Sequence, residues 1–209
     1  MPRAFSERTF TPAVRAHQER MGSARTYAKF IEGGPQQGHL IGDAEKAFVE
    51  ARDGFYQATV SETGWPYVQF RGGPEGFLKV LGPTTIGYAD FSGNRQYISR
   101  GNLDGNNRIA MILMDYAIKR RLKILGRVEF TEGAAAAASL FPDGADATAE
   151  RAAIIHIEAL DWNCPSHITP RFTEAQLQPQ LQRIGAEMEQ LRAENAALKQ
   201  ALAQQGNTD

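Results

Sequence analysis

Cysteine is almost missing from this chain. Of 209 residues only Cys164 is one, so no intrachain disulfide can form and burial must hold the fold together. Long apolar runs are missing too. None approaches the roughly 18 residues that a membrane span needs. The first residues, MPRAFSERTF, contain no apolar core of a signal peptide. The expectation is a soluble cytoplasmic protein with no membrane contact. Excess charge is also lacking: the formal net charge is −1, which removes the global electrostatic case for nucleic acid. His17 and His39 have no partner at metal-ligand spacing, and no metal site is expected. No Ser-His-Asp or paired-carboxylate constellation and no internal repeat is visible.

What is present is a stretch of β pattern from Gly64 to Glu132. Four apolar runs are separated by Gly, Asn and Asp. Tyr67, Gln69 and Arg71 alternate with Val68 and Phe70, the period of a strand with two unlike faces. Further strands are expected at Phe55–Val60, Phe77–Leu81, Thr84–Phe91, Arg108–Asp115, Lys119–Glu132 and Ala152–Ala159. Arg108–Asp115 is apolar throughout, which predicts burial on both faces. Glu62-Thr63-Gly64 reads as a hairpin turn. Ser99-Arg100-Gly101-Asn102 is a polar, basic corner beside one helical turn, and such donors suit an anion such as a phosphate.

Helical signals flank the strands. Thr11 caps a helix from Pro12 to about Met21, and Gly22 stops it. A second piece, Ala24 to Ile31, ends at Gly33-Gly34-Pro35. Asp43 caps a third, with Phe48 and Ala51 as its apolar stripe. Ala134–Leu140 is an alanine-rich helix broken by Phe141-Pro142-Asp143-Gly144. Three segments are expected: an arm over 1–43, a β domain over 44–173 and a helical tail over 174–209.

The tail carries a heptad seam. Leu177, Ile184, Leu191 and Leu198 take position d, and Leu181, Met188, Asn195 and Leu202 take position a. A lone Asn at a favours a parallel two-stranded coiled coil. Gly185 weakens its middle by about 1 kcal/mol relative to Ala. The rival reading is an amphipathic helix lying on its own β domain.

The central stretch resembles the FMN-binding split barrel of the pyridoxamine 5′-phosphate oxidase-like family. The resemblance rests on Gly-Trp-Pro-x-Val-Gln, Ile-Gly-Tyr-Ala-Asp-Phe, Ser-Arg-Gly-Asn-Leu, Asn-Asn-Arg-Ile-Ala and Arg-Arg-Leu-Lys-Ile-x-Gly-Arg-Val-Glu, in that order, over roughly residues 45 to 172. It implies a mainly β (α+β) fold, a split β-barrel, to which the residues themselves add an N-terminal helical arm and a C-terminal coiled-coil helix. It implies FMN as cofactor and a homodimer with FMN at the interface. Pro66, Tyr67, Val68 and Gln69 are then expected along the flavin ring through their backbone. Tyr88, Ala89 and Asp90 are expected around the ring and ribityl chain, and Ser99, Arg100 and Asn102 at the phosphate. Arg71 takes the place of a lysine that reaches a substrate or cofactor phosphate.

The closing segment Trp162-Asn163-Cys164-Pro165-Ser166-His167-Ile168-Thr169-Pro170-Arg171-Phe172 resembles the family's last segment, which reaches the partner's flavin. Trp162 and Arg171 match. The oxidases proper hold an Arg-x-His pair between them; His167 and Thr169 stand there instead, with one residue missing. His167 is the candidate catalytic residue, with a loop-bracing role as its alternative. Cys164 is expected as a small buried filler rather than a reactive thiol. The implied activity is two-electron oxidation or reduction of a small organic substrate. The alternatives are a flavin- or ligand-binding module without turnover, and a tail that docks the barrel onto a partner. A deazaflavin or, more weakly, haem are the alternatives to FMN.

Overall fold

Three short helices open the chain in the computed structural model, which describes residues 3–28, 30–31, 38–141, 148–162 and 164–205. They are α1 (Arg3–Thr9), α2 (Pro12–Arg20) and α3 (Ala24–Ala28). The Thr11 hydroxyl accepts from the Val14 N–H at 3.4 Å, the expected cap of α2. Helix α1 carries no sequence signal, yet it buries Ala4 and Phe5 against Ala159 and Leu125. Helix α4 (Asp43–Glu50) starts one residue earlier than expected. Gly42 is its N-cap, and the Glu45 carboxylate accepts from the Gly42 N–H at 3.1 Å. Its buried stripe is Phe48 and Val49, whereas Ala51 is exposed.

Strands β1 (Gly54–Val60), β2 (Pro66–Gly72), β3 (Leu78–Gly82) and β4 (Thr85–Phe91) follow, then α5 (Ile98–Gly105). Next come β5 (Arg108–Asp115), β6 (Arg120–Glu132), α6 (Ala134–Ala137) with a 3₁₀ turn at Ala138–Leu140, and β7 (Ala149–Trp162). Helix α7 (Glu174–Gln205) ends the described chain. The expected stop at Gly33-Gly34-Pro35, the break at Pro142-Asp143-Gly144 and Asn163 lie outside the described residues.

The seven strands form one antiparallel sheet in the order β2-β1-β5-β6-β7-β4-β3. It is not closed, and β2 and β3 are its edges. The long strands β6 and β7 form its spine. The sheet curls far enough for Phe55 of β1 to stack on Phe77, rings 5.8 Å apart, and to meet Tyr88 of β4 edge-on at 5.4 Å. The core within the curl gathers Leu78, Ile86, Met111, Leu113, Leu122, Ile124 and Ile155.

Burial of β5 on both faces is not observed. Ile109, Met111 and Leu113 are buried, but Ile112 between them is exposed. It lies on the outer face beside Tyr56, which pairs with both Ile112 and Phe70. That row is left open among the described residues, so the apolar composition of β5 overstates its burial.

The chain divides into two compact units, Met1–Ile168 and Thr169–Asp209. Among the described residues no helix is long and apolar enough to cross a membrane.

Candidate functional site

The inner face of β1 is apolar at one end and polar towards the other. Phe55, Gln57 and Thr59 are all buried there. Pairing with β2 sets Arg71, Gln69 and Tyr67 beside them in turn. Both buried polar groups have a partner, as burial demands. The Tyr88 hydroxyl donates to Gln57 Oε1 at 3.3 Å, and the Asn102 amide donates to Thr59 Oγ1 at 3.0 Å. Burial pushes the Tyr88 phenol up to about 12, against the pull of Arg71.

A cavity of about 190 Å³ opens where β2, the end of β4, the loop after it, the start of α5 and β7 converge. Four arginines line it, Arg71, Arg95, Arg100 and Arg151, against two carboxylates, Asp90 and Glu150. A second cavity of about 180 Å³ shares Gln69, Arg71 and Asp90 and adds Tyr88 and Ala89.

Asp90 is the hub. Its carboxylate accepts from Arg71 Nη1 and, at 3.2 Å, from Arg151 Nη1. Burial pushes its carboxyl up, and the two guanidiniums pull it back. Arg151 also donates to Glu132 at 3.0 Å and to Glu150 at 2.7 Å. Glu132 in turn accepts from Arg100, whose other arm is bonded to Asp104. Burial works against the Glu132 carboxylate, yet the bonds from Arg151 and Arg100 hold its carboxyl below the usual range.

Two features of the cavity lack a partner. Arg71 Nε is buried with no hydrogen-bond partner. Tyr97, the residue before α5, lies in the left-handed region at φ 54° and gives the helix no side-chain cap. The first N–H groups of α5, at Ile98, Ser99 and Arg100, lack intrahelical acceptors and carry the positive end of the helix dipole. These residues line the cavity. The arrangement fits an anionic group on its ligand.

Of the residues anticipated from sequence, Tyr67, Gln69, Arg71, Tyr88, Ala89, Asp90, Ser99 and Arg100 are brought together in these two cavities. Ser99 and Arg100 lie in the first turn of α5, inside the helix and not in a corner beside it. The Ser99 hydroxyl donates to Gln69 at 2.8 Å. Pro66 and Val68 fall on the outer side of β2 and line neither cavity. Asn102 does not line the cavity; it anchors α5 to β1.

Trp162 lies off both cavities. Its indole N–H donates to Glu45 at 2.7 Å, its ring meets Phe48 edge-on, and Arg120 sits 4.1 Å over it. His167 is exposed, in the left-handed region at φ 64°, and lines neither cavity. Arg171 belongs to the second unit. Cys164 is exposed, not a buried filler. Its sulfur lies 2.9 Å from the Ser166 hydroxyl, and hydrogen bonding with Ser166 holds the thiol below its usual range.

Arg151, Glu150, Glu132 and Arg95 belong to the site without being singled out by the sequence patterns. No local pattern marks Arg151: its strand also carries Glu150, His156, Glu158 and Asp161, so its charge does not single it out.

The family model for pyridoxamine 5′-phosphate oxidase matches residues 41–164, more than half of the chain. The chain belongs to the pyridoxamine 5′-phosphate oxidase family. Its open, curled seven-strand sheet is that family's split-barrel fold. Among solved structures the chain is similar to HupZ of Group A Streptococcus, at 20% identity over 63% of this chain and 100% of that one, TM-score 0.49. It is similar to a general stress protein 26-related protein of Clostridium acetobutylicum at 18%, over 60% and 88%, TM-score 0.43. A third likeness is to an F420 reductase at 19%, over 58% and 98%, TM-score 0.43. No curated protein matches the chain.

Proposed function

We propose that this family member binds FMN in the arginine-lined cavity and acts as an FMN-dependent oxidoreductase on a small organic substrate. The observation that carries the reading is the anion-ready wall: an uncapped helix start, four arginines and an unpaired buried Arg71 Nε. The α5 N–H groups, Ser99, Arg100 and Arg71 would hold the phosphate. The backbone of Pro66 to Gln69 would meet the ring, and Tyr88, Ala89 and Asp90 would flank the ring and ribityl chain. When bound, the flavin supplies the two-electron chemistry, while the protein binds and orients.

A homodimer is part of the reading. The outer face of β1, β2 and β5 exposes Tyr56, Val68, Phe70 and Ile112 in adjoining rows, with Val68 61% exposed and Phe70 57%. A contiguous apolar patch of that kind marks a protein interface. Trp162 and His167 lie off their own chain's cavity, which is consistent with service to a partner's flavin. The missing Arg-x-His pair argues against pyridoxamine 5′-phosphate as substrate. It also favours the second reading, a flavin-binding module without turnover.

The first test is the visible spectrum of the purified protein, with mass analysis of what heat releases. A yellow protein releasing FMN is expected; a colourless one that also fails to take up added FMN overturns the reading. Arg71→Ala should weaken FMN binding roughly 10- to 100-fold, as loss of charge-assisted bonds does. Consumption of a reduced nicotinamide donor by the FMN-loaded protein separates enzyme from module.

A further inference from the structure

Helix α7 runs for 32 residues, through Pro179 and Gly185. Its seam side chains are exposed along the whole length, from Leu177 at 38% to Leu202 at 68%. A shallow groove on the helix is formed by Met188, Leu191 and Asn195, with Arg192 and Lys199 on its rim. We infer that this seam is closed by a second copy of the same helix, parallel and in register, as a two-stranded coiled coil.

The occupant follows from charge and polarity. Two of the four g positions carry acids, Glu187 and Glu194, and the e positions five residues after them carry bases, Arg192 and Lys199. In a parallel pair g meets e′ of the next heptad, so both contacts unite opposite charges. An antiparallel pair would set g against g′ and e against e′, which opposes acid to acid and base to base. Asn195 supplies an independent argument. At an a position it must find a polar partner once buried, and only a parallel in-register copy brings its twin opposite. An unrelated apolar partner would leave that amide unsatisfied. The inference does not rest on the flavin reading, because it concerns a different unit of the chain.

The test uses the full chain in a Cys164→Ser background. Asn195→Cys places a thiol at the seam, and Gln200→Cys places one at the outward f position. Under mild oxidation at micromolar concentration, Asn195→Cys should convert almost completely to a covalent dimer on non-reducing electrophoresis, and Gln200→Cys should stay largely single. Adding Ile184→Lys and Leu191→Lys to Asn195→Cys should abolish the bridge while the urea midpoint of the β domain is unchanged. Absence of the bridge in Asn195→Cys overturns the inference, even if light scattering still reads a dimer joined through the sheet. Equal bridging of both cysteine variants overturns it as well.

Discussion

Arg100 is held by two acids at once, Asp104 within its own helix and Glu132 from β6. An arriving phosphate must compete with both for the same guanidinium. The pairs are partly solvated, so each is worth little, and a dianion in the cavity gains more than it displaces. Asp104→Asn combined with Glu132→Gln should therefore tighten FMN binding several-fold, read by quenching of flavin fluorescence on titration into the stripped protein. Weaker binding would mean that the acids position Arg100 for its ligand instead of withholding it. Arg100 is legible from sequence because a basic corner beside a helix start is a local pattern. Arg151 is not, because its three acids lie on three different stretches, at Asp90, Glu132 and Glu150.

At the level of elements, β6 and β7 depend on a bulge. Their register shifts between Leu125 and Gly126. A Cβ on Gly126 would come within 2.6 Å of the His156 carbonyl oxygen and 3.1 Å of Ile155. Backbone cannot yield there without opening the ladder, so Gly126→Ala should destabilise the fold by about 1–3 kcal/mol, seen as a lower urea midpoint. The arm has its own electrostatic tie. Glu158 on β7 accepts from Arg127 at 2.7 Å and from Arg8 of α1 at 3.1 Å. The Arg127 bond, then the Arg8 bond, hold its carboxyl below the usual range. A carboxyl lowered on folding stabilises above its unfolded pKa, and the contribution is lost as pH falls through the folded value. The urea midpoint should thus drop from about pH 5 to pH 3, and Glu158→Gln should lose part of that slope. An identical slope in the variant would mean that Glu158 contributes nothing to the docking of α1.

Across the whole molecule, the site is made by the curl of an open sheet. β2 and β4 are not hydrogen-bonded neighbours, yet Arg71 reaches Asp90 across the gap. The cavity lies at that split. The tail belongs to the other compact unit. Deleting residues 174 to 209 should leave the barrel folded, with an unchanged far-UV β signal and its flavin retained. Loss of flavin in the shortened chain would assign the tail a part in holding the cofactor.

The sequence by itself determined the local periods. Strand alternation at Tyr67, Gln69 and Arg71, the Thr11 cap and the heptad seam of α7 are patterns within a few residues, set by backbone geometry and side-chain direction. They carried the strands and the tail seam, while the resemblance in motif order pointed to the family and to eight residues of the two cavities. Tertiary structure alone decided what those periods face. It turned Ile112 outward on an apolar strand, exposed Cys164, buried Phe5 of an unmarked helix and gathered the Arg71, Asp90 and Arg151 network. The reason is physical: a period says which residues share a face, but whether that face is covered depends on sheet order and curl. Those are set by packing between strands far apart in the chain.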